Sequence, residues 1–245
     1  RRRTLPVRAG ARRGAALFAL VTAPAGGVAS ATDRQLPIYC VQRDQKMLAI
    51  SFDAAWGNED TQQLIDILGK YNVKATFFVV GDWVDKYPES VKALHDAGHE
   101  VMNHSNSHAH MSQLSSEAIV ADVEACNDKI EAVTGVRPTL IRPPYGEYDD
   151  NVITAIRSIG MEPIQWDVDS LDWKDLSAPE ITKRGTGKGQ PGSIVLFHNA
   201  ALHTPEALPG IIETLLQDGY TFVPISEIIL PQPYTIDHTG RQLPA

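Results

Sequence analysis

The sequence predicts an α/β fold in which parallel strands and crossover helices close into a slightly incomplete (β/α) barrel. Three observations carry this. Short apolar runs rich in β-branched and aromatic residues alternate with amphipathic runs of helical period. Three junctions share one punctuation of helix, glycine and strand: "AGHEV" at 97–101, "IGMEP" at 159–163 and "DGYTF" at 218–222. Polar residues suited to chemistry recur at the ends of separate apolar runs, and in a β/α barrel those ends share one face.

The elements follow in order. "PIYCVQ" at 37–42 is expected to form a hairpin with "MLAISFD" at 47–53 through Arg43, Asp44 and Gln45. Further strands are expected at 74–81, 99–105, 140–146, 161–168, 192–199 and 220–225. Helices are expected at 59–71, 84–97, 115–134, 150–159 and 205–218. In the last of these Ile211, Ile212, Leu215 and Leu216 make one apolar face. Asn58 marks one helix start, and Thr204 before Pro205 and Glu206 marks another as a cap followed by proline. Ser177 and Glu180 have capping-box spacing. The run "RGTGKGQPG" at 184–192 reads as a loop, and the tail beyond Pro231 as turn-rich surface.

Length suffices for one sizeable domain, and residues 32–245 are expected to form it, with the motifs between 45 and 228. Net charge is −8, and the six arginines of the first 31 residues leave the remainder at about −14. Such acidity argues against a nucleic-acid partner, because phosphate contacts need a basic footprint. Residues 1–31 combine that basic stretch with the apolar run "GAALFALVTA" at 14–23 and Ala29, Ser30 and Ala31, an A-x-A cleavage pattern. They read as an export signal or N-terminal anchor, which gives an extracellular or envelope location. Cys40 and Cys126 suit either an exported disulfide or two small buried residues.

Five strand ends carry the candidate chemistry. Asp53 ends "LAISFD". His104 and His108, four apart in "HSNSH", suit one metal ion, with His110 a bystander. In "RPPYG", Pro143 and Pro144 stiffen the backbone, so the Tyr145 N–H is held as a rigid donor suited to an oxyanion. A buried Arg142 needs a carboxylate partner. Asp167 to Asp172 lie between Trp166 and Trp173, and tryptophan beside acids suits a sugar-binding wall. His198 ends "IVLFH", where a nearby acid would raise its pKa and fit it for general-acid work.

Taken together, "SFDAAWG", "HSNSH", "RPPYG", "DSLDW" and "LFHN" resemble, in order, the five motifs of the NodB-homology polysaccharide deacetylases of carbohydrate esterase family 4. The "FDAAWG" form is most similar to the sporulation-type members. The resemblance implies a distorted (β/α)7 barrel, TIM-like, and a metal-dependent hydrolase that removes N-acetyl groups from a β-linked polysaccharide of peptidoglycan or chitin type; the chain is expected to act as a monomer. It implies Asp53 as base, with Arg142 pairing it, and His198 as general acid tuned by Asp172. Tyr145 is implied as oxyanion donor, and Trp173 and Leu196 as walls of the acetyl pocket. His104 and His108 are the implied ligands of zinc, or of cobalt or nickel. The family's third ligand is an aspartate directly after the base, and here Ala54 stands in its place. The alternatives are an O-acetyl xylan esterase and a non-catalytic glycan-binding homologue.

Overall fold

The computed structural model describes residues 34–245; the leader expected at 1–31 lies outside the described residues. Strand β1 (Cys40–Val41) precedes β2 (Met47–Ala54), and α1 (Thr61–Lys70) crosses to β3 (Thr76–Val79). Then α2 (Gly81–Lys86) and α3 (Pro88–Asp96) lead to β4 (Glu100–Asn103), and α4 (Ser116–Thr134) to β5 (Leu140–Ile141). Next, α5 (Asp150–Ser158) precedes β6 (Glu162–Pro163) and β7 (Val168–Asp169), and α6 (Ala178–Gly187) precedes β8 (Ser193–His198). Helix α7 (Thr204–Gln217), β9 (Thr221–Phe222), α8 (Ile225–Ile228) and the hairpin of β10 (Tyr234–Ile236) and β11 (Arg241–Pro244) complete the chain.

Strands β8, β2, β3, β4, β5 and β6 pair in parallel in that order, curling into the expected distorted barrel. The distortion lies between β6 and β8, where no single strand fills the gap. At one level Ile38 bridges Ile164 and Cys40 pairs antiparallel with Ser193. At the next, β7 pairs with β8 through Val168 and Val195.

The period of two sorts side chains into layers. Leu48, Ile50 and Phe52 of β2 join Phe77 and Val79 of β3 and Val195 and Phe197 of β8 in an apolar layer with α1, α3 and α7. Phe52 stacks on Phe77 at 4.7 Å and on Phe197 at 5.6 Å. The opposite parity supplies Ala49, Phe78, Met102, Leu140, Ile164 and Ile194 to a second, internal cluster. That parity also carries Ser51, Asp53, His104, Arg142, Leu196 and His198.

Several expectations are corrected. Strand β1 makes no hairpin with β2. Instead β8 inserts between them, and β1 pairs with β8 and, in parallel, with β11. Gly192 permits this: with φ +86° its amide donates to Met47 and its carbonyl accepts from Val41, and a Cβ there would lie 1.8 Å from the Val41 oxygen. The tail beyond Pro231 is likewise structured, since β11 extends the sheet and the Gln242 side chain, fully buried, bonds both backbone groups of Leu230. Residues 184–187, expected as loop, finish α6, whose Ser177–Glu180 capping box does form. The helix expected at 84–97 breaks at Tyr87 because Pro88 has no N–H to continue it. Strand 140–146 stops at Ile141, where Pro143 and Pro144 end pairing, and 161–168 divides because its halves pair with β5 and with β8. Both cysteines are free and buried. Among the described residues no helix is long and apolar enough to cross a membrane.

Candidate active site

The C-terminal ends of the strands open on a cavity of about 530 Å³ lined by Asp53, His104, His108, Tyr145, Trp173, Leu196 and His198. Seven of the nine residues expected at the site therefore line one space. The other two lie directly behind it. Arg142, fully buried, donates from Nη1 to Asp53 Oδ1 at 2.8 Å and from Nη2 to Ser51 Oγ and the Gln165 carbonyl, both at 3.0 Å. Asp172, also fully buried, sits 2.8 Å from His198 Nδ1. Its other oxygen accepts from the His198 amide at 2.8 Å and the Thr204 hydroxyl at 2.7 Å.

Strand geometry explains the convergence. Asp53 pairs in register with His198 across β2 and β8, so the two side chains leave adjacent strands at the same height. His104 follows β4 directly, and its amide bonds the carbonyl of Val79 at the end of β3. Arg142 follows β5, its amide bonded to the carbonyl of Asn103.

The electrostatics divide these groups by role. Burial pushes the Asp53 carboxyl up, but the Arg142 guanidinium, with His104 and His198, pulls further, and the net shift is downward. Asp53 is thus an anion at neutral pH. Burial lowers His104, outweighing the pull of Asp53. His108 is lowered to about 4 by burial, with His104 adding to the effect. Both imidazoles are neutral. For His198 burial again acts downward, but the hydrogen bond to Asp172 and the charge of Asp53 overcome it, and the net shift is upward. One face of the cavity therefore holds neutral imidazoles and the other an imidazole that favours its proton.

His104 Nδ1 lies 2.6 Å from the Arg142 carbonyl, which can only accept. That nitrogen carries the proton, and Nε2 presents its lone pair toward Asp53 Oδ2, 3.6 Å away. Two acceptors face each other there with the His108 ring 5.1 Å from that of His104. Such a donor set fits a divalent cation held by two imidazoles, with the Asp53 carboxylate adjacent. It offers no third ligand at position 54. Ala54 ends β2 fully buried in the apolar layer, and among the described residues no group of three or more His, Cys, Asp or Glu is placed to hold a metal.

Sequence reasoning missed several neighbours. Trp56, two residues beyond Ala54, is 71% exposed and lines the cavity beside His108, at 6.2 Å ring to ring. His110, outside the cavity lining, has a supporting contact that the sequence does not show: its ring stacks on Tyr145 at 4.1 Å and 2°, with Nδ1 2.9 Å from Glu147. Thr204, read as a helix cap, instead spends its hydroxyl on Asp172. Asp167 leaves the group, because its carboxylate accepts from Ser193 and the Ile194 amide at the start of β8. The backbone gives a further signal invisible in sequence. Ser105, His108, Tyr145, Leu171 and Ala200 all have positive φ between 51° and 74°. Each such conformation costs a non-glycine residue about 1–2 kcal/mol, and this strain gathers around the site.

Comparison with known proteins places this geometry. The sequence pattern of the family described as polysaccharide deacetylase matches residues 41–164. The chain is 36% identical over 188 residues to the peptidoglycan-N-acetylmuramic acid deacetylase PdaC of Bacillus subtilis, covering 77% of this chain and 40% of that protein. It is 33% identical over 180 residues to a peptidoglycan-N-acetylglucosamine deacetylase of Bacillus cereus, covering 72% and 66%. The chain thus spans less than half of the first of these relatives. Among solved structures, PdaC superposes with a TM-score of 0.69 at 37% identity, over 77% of this chain and 92% of that one. BA3943 of Bacillus anthracis, described as a family CE4 pseudoenzyme, superposes with a TM-score of 0.75 at 37% identity, over 78% and 68%. A mutant of BA3943 is described as having restored enzymatic activity.

Proposed function

Because the chain belongs to the polysaccharide deacetylase family, we propose that it is an exported, metal-dependent hydrolase that removes N-acetyl groups from a peptidoglycan-type glycan at the cell envelope. One observation carries the reading: two charge-tuned pairs, Asp53 with Arg142 and His198 with Asp172, face one cavity across from His104 and His108. Zinc is the ion best suited to neutral imidazoles, with cobalt or nickel as substitutes. When bound, such an ion polarises the acetamide carbonyl and acidifies water.

The protein groups complete the reaction. Asp53, held ionised by Arg142, takes the proton of the attacking water. The Tyr145 N–H donates to the oxyanion that develops on the acetyl oxygen. The His198 imidazolium, held by Asp172, protonates the leaving nitrogen as its bond to the acyl carbon breaks. Acetate and a free amino sugar result. Trp173 and Leu196 enclose the methyl group.

Acetate release from peptidoglycan, chitooligosaccharides and acetylxylan, with and without chelator, tests this. Chelator-sensitive release from the N-acetylated glycans is expected, together with its loss in His104→Ala. Release from acetylxylan alone would assign an ester hydrolase instead. A second reading, a non-catalytic glycan-binding homologue, is favoured by Ala54 and by the likeness to a described pseudoenzyme. Protein that retains no metal and releases no acetate at any pH would establish it.

A further inference from the structure

Beside the cavity lies a second groove, of about 690 Å³, between β7 and α6. The two spaces share Asp169 and Leu171 as a common wall. Lys183, Arg184 and Lys188 line the groove and are exposed, and none of the three has a carboxylate within salt-bridge distance among the described residues.

The groove's own acids are already committed. Asp167 accepts from Ser193 and the Ile194 amide. Asp169 accepts from the Leu171 amide at 2.9 Å and the Trp166 indole at 3.3 Å. Glu180 holds the amide and hydroxyl of Ser177 in the capping box. Arg184 uses Nε on the Asp169 carbonyl at 3.0 Å, which fixes the guanidinium at the shared wall, and among the described residues its two terminal nitrogens have no protein partner. Three cations thus line a groove next to the acetyl site whose three carboxylates already hold hydrogen-bond donors of the protein. An uncharged glycan offers them hydrogen-bond acceptors but no opposite charge.

We infer that the groove is a subsite for a carboxylate carried on a peptide branch of the glycan, so that the protein favours peptide-bearing muramyl glycans over neutral chitooligosaccharides. The inference rests on the glycan-directed reading above and adds where the charged branch is held. A planar guanidinium matches a carboxylate in two parallel hydrogen bonds, and the flanking ammonium groups add attraction that salt screens.

The test is titration calorimetry of the full chain with a soluble disaccharide-tetrapeptide and with chitotetraose, at low and high salt. Wild type is expected to bind the peptide-bearing ligand more tightly, with the advantage shrinking as salt rises. The doubly substituted Lys183→Ala, Lys188→Ala protein, whose changed side chains are exposed, is expected to lose about 5-fold in affinity for the peptide-bearing ligand, as two surface charge contacts imply. Its affinity for chitotetraose should not change. Equal binding of both ligands by wild type, or indifference of the doubly substituted protein, would overturn the subsite. Protein that shows the charge-selective binding but releases no acetate would overturn the deacetylase reading and keep the subsite. Protein that deacetylates both ligands alike, with no effect of the substitutions, would do the reverse.

Discussion

Replacing Asp172 by asparagine isolates the charge that prepares His198. The carboxylate makes three bonds: one oxygen accepts from the His198 amide and Thr204, and the other faces His198 Nδ1 at 2.8 Å. Asparagine keeps the shape. Its oxygen can serve the first two donors, and its NH₂ then meets Nδ1, forcing that nitrogen to accept. The ring's proton moves to Nε2, and the imidazolium loses its partner. A hydrogen bond to a charged group is worth about 1.5–3 kcal/mol, so the His198 pKa should fall by about 1–2 units. Burial, which acts downward in the native protein, is then unopposed by Asp172. The histidine would titrate below its ordinary value instead of above it. NMR titration of the His198 ring reads the shift without requiring turnover, and the kcat/KM profile should lose its alkaline side over the same interval. The sign for stability follows. A histidine raised in the folded state stabilises below its unfolded pKa, and that contribution fades as pH rises through the folded one. Asp172→Asn should therefore lose more stability at pH 5.5 than at pH 9. An unchanged His198 midpoint would refute the reasoning.

Three other substitutions probe the frame. Arg142→Met leaves Asp53 buried without its counter-ion, so urea unfolding at pH 7 should show a loss of about 3–5 kcal/mol, and the loss should shrink as acid protonates Asp53. Ala54→Asp puts a carboxylate at the position of the family's third ligand, at the end of β2 and within a buried apolar layer: without metal it should cost about 1–3 kcal/mol, and zinc should bind at least ~10-fold more tightly and reverse the loss. Zinc affinity equal to wild type, read by competition with a chromogenic chelator, would remove position 54 from the metal's reach. Phe52→Ala removes the ring between Phe77 and Phe197 and should lower unfolding free energy by about 3–5 kcal/mol in the same denaturant assay.

The site was legible wherever a local pattern fixed it. The period of two in "LAISFD" and "IVLFH" sends Asp53 and His198 inward, and the rule that strand ends share a face brings them together. Arg142 declared its need for an acid because an apolar strand delivered it to the interior. What stayed hidden depended on distant partners. Nothing near Cys40 says that its neighbours are Ser193 and Arg241. Gly185 reads as a loop residue, yet a Cβ there would come within 3.0 Å of Ile211 Cδ1, so the glycine serves close packing of α6 on α7. The stack of His110 on Tyr145 and the reach of Thr204 to Asp172 arise from loop and helix placement that spacing does not encode.

Joining β11 to β1 also sets a timetable. Cys40 pairs with Arg241 and Val41 with Gln242, so one edge of β1 waits for residues far later in the chain. A nascent chain carries that edge unpaired until β11 has been made, and contacts of such sequence separation form slowly. Deleting β11 would do more than shorten the sheet: it would fix the molecule in its unfinished state, with a strand edge open to other chains.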